Sequence, residues 1–360
     1  MPLSSLPLSI RPAHSCENGR PANKSQQNAG GKEGYGKISH ANVLSQSNTA
    51  EVSVRLMDPP RLTLFSTPLV STWVLDETHR ILFDAGDGAT ALLEGKIHRA
   101  GIVALTHAHR DHIGGLPQLL NLRGGVAAAN GEPLRVYHPE GSGSLSAMGR
   151  FLSQFDAMTT GHTVWQTLQP GDQVPLEDGQ FLRAYATSHI PGPDTGRCRS
   201  LGYHIGRVVE RLRPEMRGLS QTQLDHLRAA GGREAITQPE EEILFTISGD
   251  TTTLAPESVA GTRFLLHECT FLDTEETQRA EARERGHEHS CLSDVLALAQ
   301  AANVERLALY HISKRYTDEE IVRSIRTECS RREVRFRVSV ALPGRLYHDL
   351  FSQTIWPHKG

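Results

Sequence analysis

The chain contains 360 residues, of which 38% are hydrophobic and 22% are charged, and this composition predicts a folded globular protein with ample core. No apolar run approaches the roughly 18 residues that a membrane-spanning helix requires, so the sequence excludes an integral membrane protein. Five scattered cysteines without a CxxC pair exclude a disulfide scaffold and indicate a reducing compartment. The net charge of −3 restricts any nucleic-acid contact to a local patch, and the 18 histidines are the unusual feature.

Residues 1–50 are rich in Gly, Asn, Gln, Ser and Lys and have almost no periodic apolar positions. Such a segment buries too little surface to offset its ordering entropy, so we expect a disordered tail. The absence of acids before Glu17 leaves an organellar targeting segment open, although the stretch has little Arg and no apolar core of signal-peptide length. We therefore expect a cytoplasmic protein.

Strands are predicted first in each half of the remaining chain, followed by helices. The first series has short strands at 52–57, 61–65, 71–74, 80–83 and 101–106, then a helix at 113–123. The second series has strands at 181–186, 201–205, 243–247 and 263–267, then helices at 292–302 and 318–330. This order predicts one layered α/β domain over residues 51–360, with two sheets covered by helices.

The strongest functional signal is the segment THAHRDHIGG, which begins at Thr106 directly after a predicted buried strand. His107 and His109 project the same way from a strand end, because side chains in extended chain repeat every two residues. Asp111 and His112 lie where the chain turns into the next helix and reach a second position nearby. The geometry predicts two adjacent cation sites.

Two cations need further ligands, and candidates follow other predicted strands: His189, Asp250 and His311. With the first cluster they supply seven ligands. Imidazole nitrogen and carboxylate oxygen suit two zinc ions, with manganese or iron as alternatives. The absence of cysteine from the set argues against a purely structural zinc site.

Several further segments resemble motifs of one known family: LFDAGDG at 82–88, SGDT at 248–251, HECT at 267–270, HSC at 289–291 and HISKRY at 311–316. The chain resembles the metallo-β-lactamase superfamily, and most closely its ribonuclease Z branch, the tRNA 3′-processing endonucleases. The resemblance implies an αββα sandwich of two mixed sheets flanked by helices.

The resemblance also implies a role for each matching residue. The first metal would be held by His107, His109 and His189, the second by Asp111, His112 and His311, with Asp250 bridging both. His289 would donate a proton to the leaving oxygen, oriented by His267 and Glu268. Ser313 and Arg315 would lie near the scissile phosphate. His287 is an alternative donor, and Asp84 is a candidate to support a metal ligand from outside.

The implied chemistry is the hydrolysis of a phosphodiester. Two divalent cations share a hydroxide and stabilise both the attacking and the leaving oxygens. Zinc lowers the pKa of its bound water toward about 7, so the nucleophile exists at neutral pH. Asp111 could orient it, and His289 could protonate the departing alkoxide.

The sequence departs from the family between Tyr203 and Leu244, which lacks the glycine- and proline-rich arm that grips the tRNA elbow. This stretch is instead basic, with eight arginines between Arg197 and Arg233 opposed by three acids. Such residues either contact phosphates or form the solvated face of a helix.

Three functions remain open on the sequence. The first is a zinc phosphodiesterase of the ribonuclease Z type acting on a tRNA 3′ trailer or another RNA. The second is a hydrolase of a small phosphodiester or ester without tRNA activity, and the third is a noncatalytic subunit. The SKR segment at 313–315 favours a phosphate substrate, because arginine pairs bidentately with phosphate oxygens. We expect no membrane partner and, since relatives are commonly homodimers, a homodimer.

Overall fold

The computed structural model describes residues 58–130, 133–156, 161–190, 197–273 and 289–357. Residues Leu56–Gly360 form one compact unit. The predicted tail, the predicted strand at 52–57 and His287 lie outside the described residues. The assignment of residues 51–360 to a single hydrolase domain stays a prediction.

The first sheet contains seven strands in the order β14-β1-β2-β3-β4-β5-β6. Strands β3 to β6 are parallel, whereas β14, β1 and β2 pair antiparallel with their neighbours, so the sheet is mixed. The strands are β1 Leu62–Thr67, β2 Ser71–Asp76, β3 Ile81–Phe83, β4 Ile102–Ala104, β5 Leu134–Pro139, β6 Thr163–Leu168 and β14 Leu346–His348.

The second sheet contains eight strands in the order β15-β13-β12-β11-β10-β9-β8-β7. Strands β10 to β13 are parallel and the outer pairs are antiparallel, so this sheet is also mixed. The strands are β7 Gln173–Pro175, β8 Gln180–Ala186, β9 Leu201–Leu212, β10 Thr237–Ile247, β11 Phe264–Glu268, β12 Arg306–Tyr310, β13 Arg337–Val340 and β15 Thr354–Trp356.

Helices cover the outer face of each sheet. The described helices are α1 Ala89–Leu93, α2 Arg110–Ile113, α3 Leu116–Asn130, α4 Gly143–Phe155, α5 Gln221–Gly231, α6 Leu292–Ala301 and α7 Asp318–Arg331. Apart from α5, they have buried apolar positions or lie against a buried layer. None of the described helices is both long and apolar enough to cross a membrane.

Three buried apolar clusters lie between successive layers of the sandwich. The middle cluster joins the two sheets and includes Phe83 from β3 and Phe245 from β10. Leu75 and Leu82 belong to the cluster beneath α1, α3 and α4, and Leu265 belongs to the cluster beneath α6 and α7. Alternate residues of a strand face opposite sides of its sheet, so each strand contributes to two layers. The predicted αββα sandwich is confirmed.

Most predicted elements match observed ones within a few residues, but the predicted order of strands first and helices after is wrong, because helices alternate with strands in both halves. No element was predicted for α1, β5, α4, β6, β7, α5, β13, β14 or β15. Two predicted regions also differ in their bounds. The predicted helix at 113–123 is two helices, α2 and α3, because Gly114 and Gly115 interrupt it. Strands β9 and β10 extend well beyond the predicted ranges 201–205 and 243–247 and pair from Tyr203 with Ile247 to Leu212 with Thr237. The extension is polar, so its apolar alternation was too weak to predict a strand.

The extended hairpin forms an arm, defined as residues 207–243 with α5 at its tip. None of these residues is buried, so the arm stands away from the core. The sequence lacks the family's glycine- and proline-rich arm, yet the structure builds one from a β-hairpin and a helix. A capping box between Ser220 and Gln223 begins α5, which explains why the tip is helical.

The arm is not the basic patch that the arginine count suggested. Counted over residues 207–242, six arginines face seven acids, because a cluster of glutamates follows the counted window. Antiparallel pairing brings Glu242 beside Arg207, whose Nη2 lies 2.8 Å from its Oε2, and Arg211 is 3.7 Å away. Two of the arginines are therefore neutralised across the hairpin, whereas no ion pair holds Arg217 or Arg228 within the described residues.

Candidate metal centre

The candidate metal ligands meet at one edge of the sandwich. His107 follows β4, His189 follows β8, Asp250 follows β10 and His311 follows β12. These strands run in the same direction within their sheets, so their carboxyl ends share an edge where loops converge. This explains how residues separated by up to about two hundred positions reach a common site.

Asp250 lies at the middle of the cluster. Its Oδ2 is 3.3 Å from Nε2 of His112 and 3.3 Å from Nε2 of His311. The Nε2 atoms of His107 and His189 are each 3.8 Å from the same oxygen. One carboxylate oxygen therefore faces four imidazole nitrogens, which is an arrangement suited to sharing cations between them.

Two groups of ligand atoms with metal-like spacing contain the predicted metal ligands, and a third, made of Asp250, His289 and His311, overlaps both. The first group is His107, His109, His189 and Asp250, and the second is Asp111, His112 and His311. Within each group the candidate atoms lie within 4.8 Å of one another. This division matches the two sets that the family resemblance implied, and all members except the half-buried His109 are buried.

Unpaired buried atoms show that the cluster fits a cation. The Nε2 atoms of His107, His112 and His311 and Oδ1 of Asp250 are buried and have no hydrogen-bond partner among the described residues. An unsatisfied buried polar atom costs about 1–3 kcal/mol, so four at one place require compensation. Divalent cations would supply it, because the exposed lone pairs are those of imidazole nitrogen and carboxylate oxygen.

The electrostatics favour the ligand forms of two residues. Burial lowers the pKa of His107 well below its ordinary value, which keeps that imidazole neutral. Burial alone would raise the pKa of Asp250, but the neighbouring imidazoles of His112 and His311 outweigh it and hold that pKa well below its ordinary value. Both shifts leave lone pairs free at neutral pH.

Asp84 supports the ligands from the outside, as predicted from its position before the histidine segment. Its Oδ2 lies 2.7 Å from Nδ1 of His112, and its Oδ1 accepts a 2.7 Å hydrogen bond from the backbone N–H of Thr106. The Thr106 hydroxyl also lies 2.9 Å from Nδ1 of His107. Contacts at Nδ1 leave each Nε2 directed at the cluster.

His311 is held in an uncommon backbone conformation. Its φ is +58°, its backbone N–H donates to Ser66 Oγ at 3.1 Å, and its Nδ1 lies 3.1 Å from the Thr270 hydroxyl. A residue other than glycine in the left-handed region costs of order 1–3 kcal/mol and persists where its surroundings impose it. Packing around His311 therefore sets the direction of its side chain.

Several of these supports were not predicted from the sequence. Thr106 and Thr270 flank predicted functional residues, so a hydroxyl adjacent to a ligand was a usable signal. Leu69 had none, because it acts through its backbone: its N–H donates to Asp111 Oδ2 at 2.8 Å. Its side chain is 93% exposed beside the centre.

His289 and Glu268 form a hydrogen-bonded pair beside the groups of candidate metal ligands. Nδ1 of His289 lies 2.9 Å from Glu268 Oε1. Burial would raise the pKa of Glu268, but the neighbouring His289 outweighs it and holds that pKa below its ordinary value. Backbone N–H groups of Thr251, Thr270 and Ser290 also donate to this carboxylate, which fixes its position.

The chain is similar to known proteins over much of its length. The family model of the metallo-β-lactamase superfamily matches residues 67–209. Ribonuclease Z of Lactiplantibacillus plantarum is 31% identical over 266 residues, covering 68% of this chain and 81% of that protein. The chain belongs to the ribonuclease Z family. As such it is a metal-dependent hydrolase of the metallo-β-lactamase superfamily.

A further relative is similar in sequence, and two solved structures have the same fold. The chloroplastic tRNase Z TRZ2 of Arabidopsis thaliana is 29% identical over 259 residues, covering 69% of this chain and 66% of that protein. The short form of human tRNase Z has the same fold, with a TM-score of 0.50 at 17% identity over 80% of this chain and 99% of that one. The metallo-β-lactamase-fold protein YhfI from Bacillus subtilis gives a TM-score of 0.51 at 16% identity, covering 81% of this chain and all of that one.

His267, which the resemblance to ribonuclease Z paired with Glu268, does not lie at His289. It precedes Glu268 in β11, so strand alternation directs the two side chains to opposite faces of the sheet. Its Nδ1 lies 2.7 Å from the carbonyl oxygen of Glu268, and burial lowers its pKa. Of the pair, only Glu268 contacts His289.

The remaining pair of site residues in the ribonuclease Z motifs is Ser313 and Arg315. The Arg315 Nε donates to Ser313 Oγ at 3.0 Å, and its guanidinium lies 5.5 Å from the centre of the Phe271 ring. The same ring is 6.2 Å from His289. An exposed arginine therefore stands beside the His289–Glu268 pair.

Proposed function

We propose that this protein is a dinuclear zinc phosphodiesterase that removes the 3′ trailer of tRNA precursors. The observation that carries the proposal is the cluster of unpaired buried atoms around Asp250, with His289 and Glu268 directly beside it. A metal-dependent phosphodiester hydrolase uses cations to neutralise the phosphate and a proton donor for the leaving oxygen, and this edge holds candidate residues for both.

The first cation would be held by His107, His109 and His189 and the second by Asp111, His112 and His311, with Asp250 shared. When bound, the cations would acidify a water molecule and neutralise charge on the phosphate. Zinc is favoured because the donors are mainly imidazole nitrogens, and manganese or iron would suit the carboxylate oxygens less selectively.

His289 would donate the proton that the departing oxygen needs. Its Nδ1 faces Glu268, which leaves Nε2 as the atom that reaches the leaving group. The ionised Glu268 would stabilise the imidazolium form of His289 and hold its ring in one orientation, as the carboxylate of a catalytic triad does for its histidine. Asp111, fixed by the Leu69 N–H, would orient the attacking water.

The substrate proposal rests on the family and on surface features. Relatives are named ribonuclease Z and tRNase Z. Arg315 would pair with phosphate oxygens near the scissile bond, and the arm, in the position of the family's tRNA-gripping segment, would contact RNA away from the centre. A cytoplasmic location and a homodimer remain predictions.

The experiment compares two substrates with the purified full chain: a tRNA precursor carrying a 3′ trailer and bis(p-nitrophenyl) phosphate, each with and without a chelator. We expect chelator-sensitive cleavage at the trailer junction, and loss of both activities in Asp111→Ala with folding preserved. Cleavage of the small diester alone would contradict the tRNA substrate. Wild-type rates in Asp111→Ala would contradict the two-cation assignment.

A further inference from the structure

A cleft of about 480 Å³ opens at the edge of the sandwich opposite the metal centre. Its first wall comes from the amino ends of β3, β4 and β5, whereas the metal centre lies past the carboxyl ends of β3 and β4. Its second wall is the turn from Pro175 to Gln180 of the other sheet. The volume falls within the range of small-molecule sites, roughly 300–1,000 Å³.

Three arginines line this cleft: Arg80, Arg123 and Arg135. Arg123 is the deepest, with 6% of its surface exposed, and its Nη1 donates to the carbonyl oxygen of His98 at 3.1 Å. Its Nε is buried without a hydrogen-bond partner, and within the described residues no carboxylate pairs with its guanidinium. A buried cation without a counter-charge is costly, which indicates that an anion belongs beside it.

The other charges at the cleft do not neutralise this arginine. Glu177 Oε1 lies 3.9 Å from Arg80 Nη1, but its side chain is 88% exposed at the rim, and Asp178 is exposed as well. Arg135 is exposed and makes no ion pair or side-chain hydrogen bond to another described residue. Burial and the charge of Arg80 both lower the pKa of Arg123, which is consistent with cations crowding one place.

Both walls of the cleft also have apolar lining. Ile102 and Pro133 lie on the first wall among the arginines, and Pro175 and Leu176 lie on the second wall beside the two exposed acids of the rim. A simple phosphate would occupy only part of the volume and would not use this surface. A ligand that has a phosphate at one end and a flat, weakly polar ring at the other would use both.

We propose that this cleft binds a nucleotide, with its phosphate on Arg123 and Arg135 and its base against Pro175 and Leu176. Arginine suits the phosphate because its planar guanidinium donates two parallel hydrogen bonds to phosphate oxygens. None of the predicted metal ligands lines the cleft, so binding there is independent of the metal centre and of the proposed RNA-cleaving reaction.

The test is calorimetric titration of the purified full chain with AMP, with orthophosphate and with adenosine. Arg135→Ala is the informative variant, because Arg135 is exposed and holds no described partner, so the fold tolerates its loss. Arg228→Ala, an exposed arginine on the arm, is the matched control. Asp250→Asn removes the carboxylate at the candidate metal centre. It therefore distinguishes AMP bound in the cleft from AMP whose phosphate binds metal ions at that centre.

We expect AMP to bind wild type, Arg228→Ala and Asp250→Asn with similar affinity, and Arg135→Ala about tenfold more weakly or worse. AMP affinity that is unchanged in Arg135→Ala, or lost in Asp250→Asn, would overturn the cleft as the site. Orthophosphate binding as tightly as AMP would overturn the base contact and therefore the nucleotide assignment.

Discussion

Asp250 has four imidazole nitrogens within 3.8 Å of one carboxylate oxygen. One carboxylate oxygen cannot accept hydrogen bonds from all four nitrogens, so the Nε2 atoms of His107, His112 and His311 are left without hydrogen-bond partners among the described residues. The residues around it follow the same logic: Asp84 binds Nδ1 of His112, and the Thr270 hydroxyl binds Nδ1 of His311. Each support holds one imidazole so that its Nε2 faces the candidate metal centre.

The proton-donor role of His289 can be tested by the leaving group. In His289→Ala we expect cleavage of a tRNA precursor to fall by about 10²–10⁴-fold, because a ribose alkoxide needs a proton as it departs. Cleavage of bis(p-nitrophenyl) phosphate should change little, since p-nitrophenolate leaves without one. Initial rates on both substrates measure the difference.

Glu268→Gln should give a smaller loss with the same preference, because the ring of His289 would keep its place without its charge partner. His98→Ala, an exposed histidine before the amino end of β4 and outside the arm, is the control and should leave both rates unchanged. Equal losses on the two substrates in His289→Ala would count against proton donation.

The candidate ligands that residue patterns predicted do meet at one edge, because they follow strands, and the end of a strand is a local feature of the sequence. The motif wrongly placed His267 against His289, although the strand predicted at 263–267 already implied that His267 and Glu268 face opposite sides of the sheet. A motif places its residues close in the chain, but adjacent residues of a strand face opposite sides. Leu69 could not be predicted at all, since any residue supplies the same backbone N–H.

At the scale of elements, two glycines let the loops of the centre approach each other. A Cβ added at Gly86 would lie 2.3 Å from the Asp111 carbonyl oxygen and 2.5 Å from the Thr72 nitrogen. A Cβ at Gly115 would lie 2.3 Å from the Gly86 carbonyl oxygen. The turn after β3 and the histidine segment after β4 therefore touch through their backbones. This contact fixes the positions of Asp111 and His112 relative to the end of β3.

Gly86→Ala should displace the Asp111 segment, because backbone atoms on both sides cannot yield as a flexible side chain would. We expect a loss of about 1–3 kcal/mol in the free energy of unfolding and a clear fall in bound metal. Thermal unfolding and elemental analysis measure the two. Gly143→Ala is the control, since a Cβ there meets nothing within 4 Å. Full metal content in Gly86→Ala would show that the contact does not position the ligands.

The arm is an element whose charge depends on pairing between its strands. Replacing Arg217 and Arg228 by Ala should weaken RNA affinity. The slope of log affinity against log salt concentration should fall by about 1 for each of the two arginines that contacts a phosphate. Filter binding over a range of salt concentrations measures both. Arg207→Ala is the comparison: its guanidinium is held by Glu242, so we expect a smaller change. Identical salt slopes in wild type and the double variant would exclude an RNA contact at the tip.

At the scale of the whole molecule, two sheets bring their strand ends to one edge, where the candidate ligands of both sheets meet. β4 of the first sheet supplies the histidine segment, while β8, β10 and β12 of the second lead to His189, Asp250 and His311. Metal binding at this edge would therefore join the two layers. The buried ligand atoms that have no hydrogen-bond partner among the described residues destabilise the fold unless a cation binds them.

Removal of the cations should consequently lower the stability of the whole fold. If the free metal exceeds its Kd a thousandfold, binding contributes about 4 kcal/mol per site. We expect a chelator to lower the Tm by roughly 10 °C, measured by differential scanning calorimetry before and after metal is restored. Asp250→Asn is the control, in which the chelator should have little further effect. An unchanged Tm in wild type would contradict cations linking the sheets.

The sequence by itself determined the family, the layered α/β fold class and the identity of the candidate ligands, because these depend on local periodicity and on the chemistry of individual side chains. Only the tertiary structure decided which atoms meet. It placed Glu268 rather than His267 against His289, neutralised part of the basic stretch through Glu242, and gathered Arg80, Arg123 and Arg135 around a cleft. Those outcomes depend on strand register and on which ends of parallel strands share an edge, and both are set by contacts between residues far apart in the chain.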